Sequence, residues 1–157
     1  MALTRYSVPV IAAAATVLVA GCSSSPSPDT LAATTDVSTT RISTPTGQFV
    51  VQGAIMQKFN ESGGSNGPLG MPIANEQSGP DGGRYSKFQL GVIYWTPRTG
   101  AHIVWGDIRT AWETNGGASG PLGYPSSDEQ PVPGGWKADF EHGVITLVDG
   151  HVDVQTH

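Results

Sequence analysis

Cysteine is almost absent from this chain: Cys22 is the only one in 157 residues. No internal disulfide and no Cys-rich zinc site can therefore form. Charge is scarce as well. Charged residues make up 13%, about half the usual soluble share, and 8 Lys+Arg stand against 13 Asp+Glu for a net charge of −5. An acidic, charge-poor chain gains little from neutralising phosphates, so nucleic acid is not an expected partner. His102, His142, His151 and His157 show no metal-ligand spacing, and no metal or other cofactor is expected. What is abundant is turn-forming residues, 21 Gly and 12 Pro. The length allows one small domain behind an N-terminal leader.

Residues 1–21 read as that leader. Arg5 is the lone charge of a short basic region, and Val8 to Ala20 is apolar through Ile11, Val17, Leu18 and Val19. Such a run fits a signal peptide and falls short of the roughly 20 residues of a bilayer span. It ends in Val19-Ala20-Gly21-Cys22, which resembles the bacterial lipobox. That resemblance implies cleavage after Gly21 and acylation of Cys22, with thioether diacylglycerol and a further chain such as palmitate. Small side chains at Ala20 and Gly21 let a peptidase reach the backbone, and two or more acyl chains give stable membrane attachment. The alternatives are an ordinary signal peptide with a chance cysteine, or a buried free thiol.

Residues 22–46 read as a disordered tether. Ser, Thr and Pro fill 16 of the 24 positions from 23 to 46, with Leu31, Val37 and Ile42 the only sizeable apolar residues. Too little can be buried there to offset ordering entropy. As a flexible coil it would hold a domain about 25–30 Å from its anchor. Its composition also suits O-glycosylation.

The remainder, 47–157, contains one unit twice, displaced by about fifty residues. Val51-Gln52-Gly53-Ala54-Ile55 matches Val104-Trp105-Gly106-Asp107-Ile108, and Gly63-Gly64 matches Gly116-Gly117. Gly67-Pro68-Leu69-Gly70-Met71-Pro72 matches Gly120-Pro121-Leu122-Gly123-Tyr124-Pro125, and Glu76-Gln77 matches Glu129-Gln130. Phe88 with Gly91-Val92-Ile93 matches Phe140 with Gly143-Val144-Ile145. The repeats run from about 51 to 103 and from about 104 to 155. An α+β fold of two tandem repeats follows, each a short helix, a Gly/Pro turn and a three-stranded antiparallel meander.

The helices are expected at 53–62 and 106–115, where Ile55/Phe59 and Ile108/Trp112 share a face at i, i+4. The Gly-Gly pairs end them. Strands are expected at 84–89, 92–96 and 101–105, and again at 136–141, 144–148 and 151–155. Residues 47–52 align with 100–105 and look like the last strand of a missing earlier unit. That spare strand is expected to pack against the C-terminal meander or its own helix, covering an edge.

Leu69-Gly70-Met71-Pro72 and Leu122-Gly123-Tyr124-Pro125, with their flanking residues, resemble the LGFP repeat of actinobacterial cell-envelope proteins. The resemblance covers about 51–154, with Met71 and Tyr124 in place of the family's Phe. It implies a module that fastens proteins to the cell wall and carries no reaction of its own.

Little in the sequence offers catalysis. Gly63-Gly64-Ser65-Asn66-Gly67 has the letters of a nucleophile elbow, but it lacks the strand before and the helix after that the elbow requires. The second unit has Ala118 where Ser65 stands. Glu76 and Glu129 could form a glycosidase pair only if a few ångströms apart, and equivalent places in two units argue against that. They read either as caps on backbone groups or as repeated polar ligand contacts.

Aromatic faces suit saccharides, because sugar C–H faces stack on them while hydroxyls pair with carboxylates and amides. Alternation leaves Tyr85 and Tyr94 outward, and Trp105, aligned with Gln52 and Gln155, is expected at the surface. Trp95, Trp112 and Trp136 read as core. The candidate glycan-binding residues are therefore Tyr85, Tyr94 and Trp105, with Glu76, Gln77, Glu129 and Gln130. The combined expectation is a non-catalytic protein, lipid-anchored on the outer side of the cell membrane, that binds a cell-wall polysaccharide at equivalent sites on its two units. The alternative is a protein-interaction module that docks a wall enzyme or self-associates.

Overall fold

The computed structural model describes residues 39–157, so the leader, the Gly21–Cys22 junction and most of the tether lie outside the described residues. The first element is a hairpin, β1 (Thr39–Thr44) paired antiparallel with β2 (Gly47–Gln52). Helix α1 (Gly53–Glu61) follows directly, then β3 (Gln77–Ser78), β4 (Arg84–Lys87), β5 (Gly91–Thr96) and β6 (Gly100–Trp105). Helix α2 (Gly106–Thr114) leads in the same way to β7 (Gln130–Val132), β8 (Gly135–Phe140), β9 (Gly143–Val148) and β10 (His151–Thr156). The sheets are antiparallel, ordered β3-β4-β5-β6 and β10-β9-β8-β7.

Two expectations need correction. The tether does not extend to residue 46: Thr39–Thr44 is a strand, in register with β2 from Thr39↔Gln52 to Thr44↔Gly47. Alternation of Thr40, Ile42 and Thr44 with Arg41 and Ser43 gives this segment one inward face, and Ile42 packs on the first core. The strand at 47–52 therefore pairs with the segment just before it in sequence and, as one of the two expected alternatives had it, packs on its own helix through Val51, not on the C-terminal meander. Each four-stranded sheet also has one strand more than the expected three. Gln77–Ser78 and Gln130–Val132 pair onto β4 and β8, with Pro131 tolerated because β7 is an edge.

Each helix stops where the sequence predicts. Gly63 and Gly116 adopt φ of 100° and 96°, a left-handed conformation open to glycine at little cost, and a short 3-10 turn follows in each unit. The next turn brings Leu69 and Leu122 under the sheets, both about 1% exposed or less.

The packing is layered. Ile55 and Phe59 of α1 meet Ile93 and Ile103 on one face of the first sheet, with Val51 and Ile42 from the hairpin completing that core. The opposite face of the same sheet carries Tyr85, Val92, Tyr94 and Val104 and packs on Ile108 and Trp112 of α2. Beyond α2 lie Ala138, Phe140 and Ile145 of the second sheet, in the same core. The first sheet is thus buried on both faces. The second sheet's outer face instead bears Lys137, Asp139, Thr146, Asp153 and Gln155, and Lys137 pairs with Asp139 at 3.0 Å.

Side chains also hold the layers in register. The Val50 amide donates to Asn75 Oδ1 at 2.8 Å and the Gln52 amide to Glu76 Oε2 at 2.9 Å. In the second unit the Ile103 amide donates to Asp128 Oδ1 at 2.9 Å and the Trp105 amide to Glu129 Oε1 at 3.4 Å. An Asn/Asp-Glu pair in each unit thus satisfies the outer edge of the strand that precedes its own helix.

Candidate functional site

A cleft of about 310 Å3 opens where the two units meet. Pro80, Tyr85 and Tyr94 of the first unit form one side. Trp112, Glu113, the turn Gly116–Ser119 and Tyr124 form the other. Its walls come from both units, so it belongs to the junction and is not a site built once per unit.

The rings form a continuous set. Tyr85 stacks on Tyr94 with centroids 5.4 Å apart, Tyr94 meets Trp112 edge-on at 4.7 Å, and Tyr124 stands 6.4 Å from Tyr94. Trp112 Nε1 donates to the Gly123 carbonyl at 2.9 Å, and Tyr124 Oη donates to the Pro80 carbonyl at 2.8 Å. Tyr85 Oη donates to Gln77 Oε1 at 2.6 Å. Tyr94 is 9% exposed, and its hydroxyl has no hydrogen-bond partner among the described residues. Burial, then the nearby Glu113 carboxylate, raise the Tyr94 hydroxyl above the ordinary tyrosine range. Burial likewise raises Tyr124, with Asp81 and Glu141 adding to it. Both phenols are therefore neutral near pH 7. Glu113 is tied through Oε1 to Arg109 Nε at 2.8 Å, one turn back on the same helix.

Further contacts fix the junction. Lys58 on α1 pairs with Asp128 of the second unit, which also lies 3.6 Å from His102 Nδ1. Burial would raise the Asp128 pKa, but the nearby His102 ring, the Lys58 ammonium and the Ile103 amide outweigh it and hold the carboxyl at about 2. Arg98, in the turn before β6, reaches Glu141 at 2.7 Å.

The structure redistributes the residues singled out from sequence. Tyr85 and Tyr94 line the cleft, but Tyr94 is buried and not outward, because α2 covers that face of the sheet. Trp105 lies on the opposite face, partly buried against the first core. Its counterpart is Thr156 and not Gln155, since Trp105 pairs with Gly91 and Thr156 with Gly143. The β9–β10 turn is one residue shorter and shifts the register. Glu76, with its side chain 2% exposed, pairs with Arg84 and caps Gln52. Glu129 caps Trp105, and burial raises its pKa, opposed by its hydrogen bonds with Trp105. Both carboxylates act on backbone, not toward a shared ligand. Gln77 supports Tyr85, whereas Gln130 is exposed on β7 and pairs with Lys137 in register.

Trp136, expected in the core, is 47% exposed. It shares the inward side of Ala138 and Phe140 but lies beyond the core cluster that holds them. It stands opposite Leu147, whose other neighbour in register is Val152, 41% exposed. Ser65 sits in the short turn after α1, with no strand before it. Among the described residues no group of three His, Cys, Asp or Glu could hold a metal ion, and no helix is long and apolar enough to cross a membrane. Cys22 and Gly21 lie outside the described residues.

Sequence reasoning missed Trp112, Glu113 and Tyr124 as cleft residues. The available signal was β5 itself: Val92-Ile93-Tyr94-Trp95 is a continuous apolar run, the mark of a strand buried on both faces.

Residues 69–120 match the family model described as the LGFP repeat, one period from the first Leu-Gly turn to the residue opening the second. This supports membership of that repeat in this part of the chain. None of the curated proteins compared matches the chain.

Proposed function

We propose that this chain is a non-catalytic, lipid-anchored protein of an actinobacterial envelope whose repeat domain holds a cell-wall polysaccharide. Acylated Cys22 would fix the chain in the outer leaflet of the cell membrane, and the stretch up to Ser38 would span the gap to the wall. The observation that carries the reading is the junction cleft, a concave site walled by four aromatic residues with a carboxylate at its rim. Apolar clefts with a few convergent polar groups are the usual form of a small-ligand site. The match to the LGFP repeat supports the same assignment. One junction makes one site, so avidity between equivalent sites is not part of this reading.

The test is retention of purified 39–157 on insoluble cell wall. Binding above that of an unrelated acidic protein of similar size is expected, and binding no better than that protein would refute it.

A protein-interaction module is the second reading, favoured by Trp136 and Val152, both exposed on either side of the half-buried Leu147 across the second sheet. A mass that rises with concentration in sedimentation, abolished by Trp136→Ser, would favour it.

A further inference from the structure

We propose that the junction cleft takes one uncharged or amine-bearing pyranose unit, contacted by Tyr94 Oη and Glu113, and rejects acidic sugars. This rests on the polysaccharide reading above and narrows its chemistry. Four rings line the cleft, and the polar atoms of three are occupied within the protein: Trp112 by the Gly123 carbonyl, Tyr124 by the Pro80 carbonyl and Tyr85 by Gln77. Tyr94 Oη alone has no partner among the described residues, on a ring nine-tenths buried. The buried side-chain atoms without a partner among the described residues are Ser86 Oγ and His102 Nδ1, so Tyr94 Oη is open to solvent. A solvent-open phenol without a protein partner, on a ring that lines the cleft, is where a ligand hydroxyl can pair.

The rim decides the charge. Glu113 Oε1 is held by Arg109, while no protein donor reaches Oε2 among the described residues. That oxygen can accept from a sugar hydroxyl or an ammonium group, and it repels a carboxylate or a phosphate. No lysine or arginine lines the cleft, and the nearest cations, Arg109 on Oε1 and Lys87 with Nζ 5.7 Å from the Tyr85 ring centroid, offset the repulsion only in part. Because the Tyr94 hydroxyl stays protonated near neutral pH, it can donate and accept at once. The size also limits the ligand, since about 310 Å3 is at the lower end of ligand pockets, roughly 300–1,000 Å3. The partly exposed Tyr85 ring, stacked on Tyr94, offers a flat wall to the C–H face of a sugar.

Three probes with one ring skeleton separate these effects: methyl glucoside, glucosamine and glucuronic acid, titrated into the full chain while tryptophan indole resonances are followed. Shifts of the Trp112 indole are expected with the first two and not with glucuronate. Tyr94→Phe keeps the ring and removes an unpaired hydroxyl, so its melting temperature should be unchanged or higher while both affinities fall about tenfold. Glu113→Gln should admit glucuronate and weaken glucosamine most. Shifts with none of the three, equal binding of glucuronate by the unmodified chain, or an unaffected Tyr94→Phe variant would each overturn the proposal. Wall retention measured on the same proteins separates the two readings. Retention that is equal in the unmodified chain and Tyr94→Phe leaves wall attachment standing and removes this cleft from it. No retention, with sugars still bound, removes wall attachment and leaves the cleft assignment in place.

Discussion

The Tyr124 hydroxyl of the second unit donates to the Pro80 carbonyl of the first, and the ring behind it lies against Gly83. A Cβ added at Gly83 would stand 2.2 Å from Tyr124 Oη and 2.4 Å from its Cζ. Gly83 has φ −71° and ψ 167°, which any residue adopts, so its glycine is required by the neighbouring unit and not by its own backbone. Gly83→Ala is expected to destabilise the domain by about 1–3 kcal/mol through overpacking. Tyr124→Met places there the residue found at Met71 in the first unit, and it should shrink the Gly83→Ala penalty by more than half in a double-mutant cycle. Additive effects in thermal unfolding would show that the two residues do not press on each other.

Much of this arrangement was legible in the sequence. The helix faces of Ile55/Phe59 and Ile108/Trp112, the Gly-Gly stops and the hairpin turns follow from periodicity and from glycine conformations. What periodicity could not supply was the stacking of one unit on the next. Assigning one solvent face to each sheet put Tyr94 outside, although its strand is apolar at every position from Val92 to Trp95. Trp136 failed for the opposite reason: its side of the sheet was assigned correctly, but the core ends before it. The roles of Glu76 and Glu129 depend on strand amides 24 residues earlier in the chain, a distance at which no local pattern operates.

Stability below neutral pH should follow Asp128. Its carboxyl is held at about 2 in the fold against an ordinary 3.8, so its ionised form stabilises the native state. That contribution is complete above pH 4 and is lost as pH falls through about 2. Urea unfolding between pH 6 and 2 should show the decline, and Asp128→Asn should flatten it. Glu129 works in the opposite sense. Its pKa is raised, so the native state binds more protons and stability falls as pH rises above the usual carboxylate range. A decline below pH 4 as steep in Asp128→Asn as in the unmodified chain would assign the acid sensitivity to another group.

Ser86 is fully buried on β4, and its Oγ has no hydrogen-bond partner. Ala138, also fully buried, holds the equivalent position in the second sheet, opposite Ile145 as Ser86 is opposite Ile93. A buried hydroxyl without a partner costs about 1–3 kcal/mol. Ser86→Ala should therefore raise stability by about 1 kcal/mol, a gain of about 4 °C in melting temperature for a domain of this size. A lower melting temperature would mean that the hydroxyl is satisfied in solution by a buried water.

The N-terminal boundary of the folded domain can be tested in the same way. β2 pairs with β1 on one edge, while its other edge is met by Asn75, Glu76 and the Glu76 amide, which donates to the Val50 carbonyl at 2.8 Å. Removing residues 1–46 would strip the first edge and withdraw Ile42 from the core it shares with Val51 and Phe59. A chain of 47–157 should lose about 2 kcal/mol relative to 39–157 from the exposed Ile42 contacts and the lost ladder. Its bare strand should also pair with other copies, since an unpaired edge is a template for association. Comparing the two chains by thermal unfolding and by sedimentation at two concentrations decides the point. If 47–157 matched 39–157 in melting temperature and stayed monomeric, the hairpin would be dispensable and the tether could be extended to residue 46 after all.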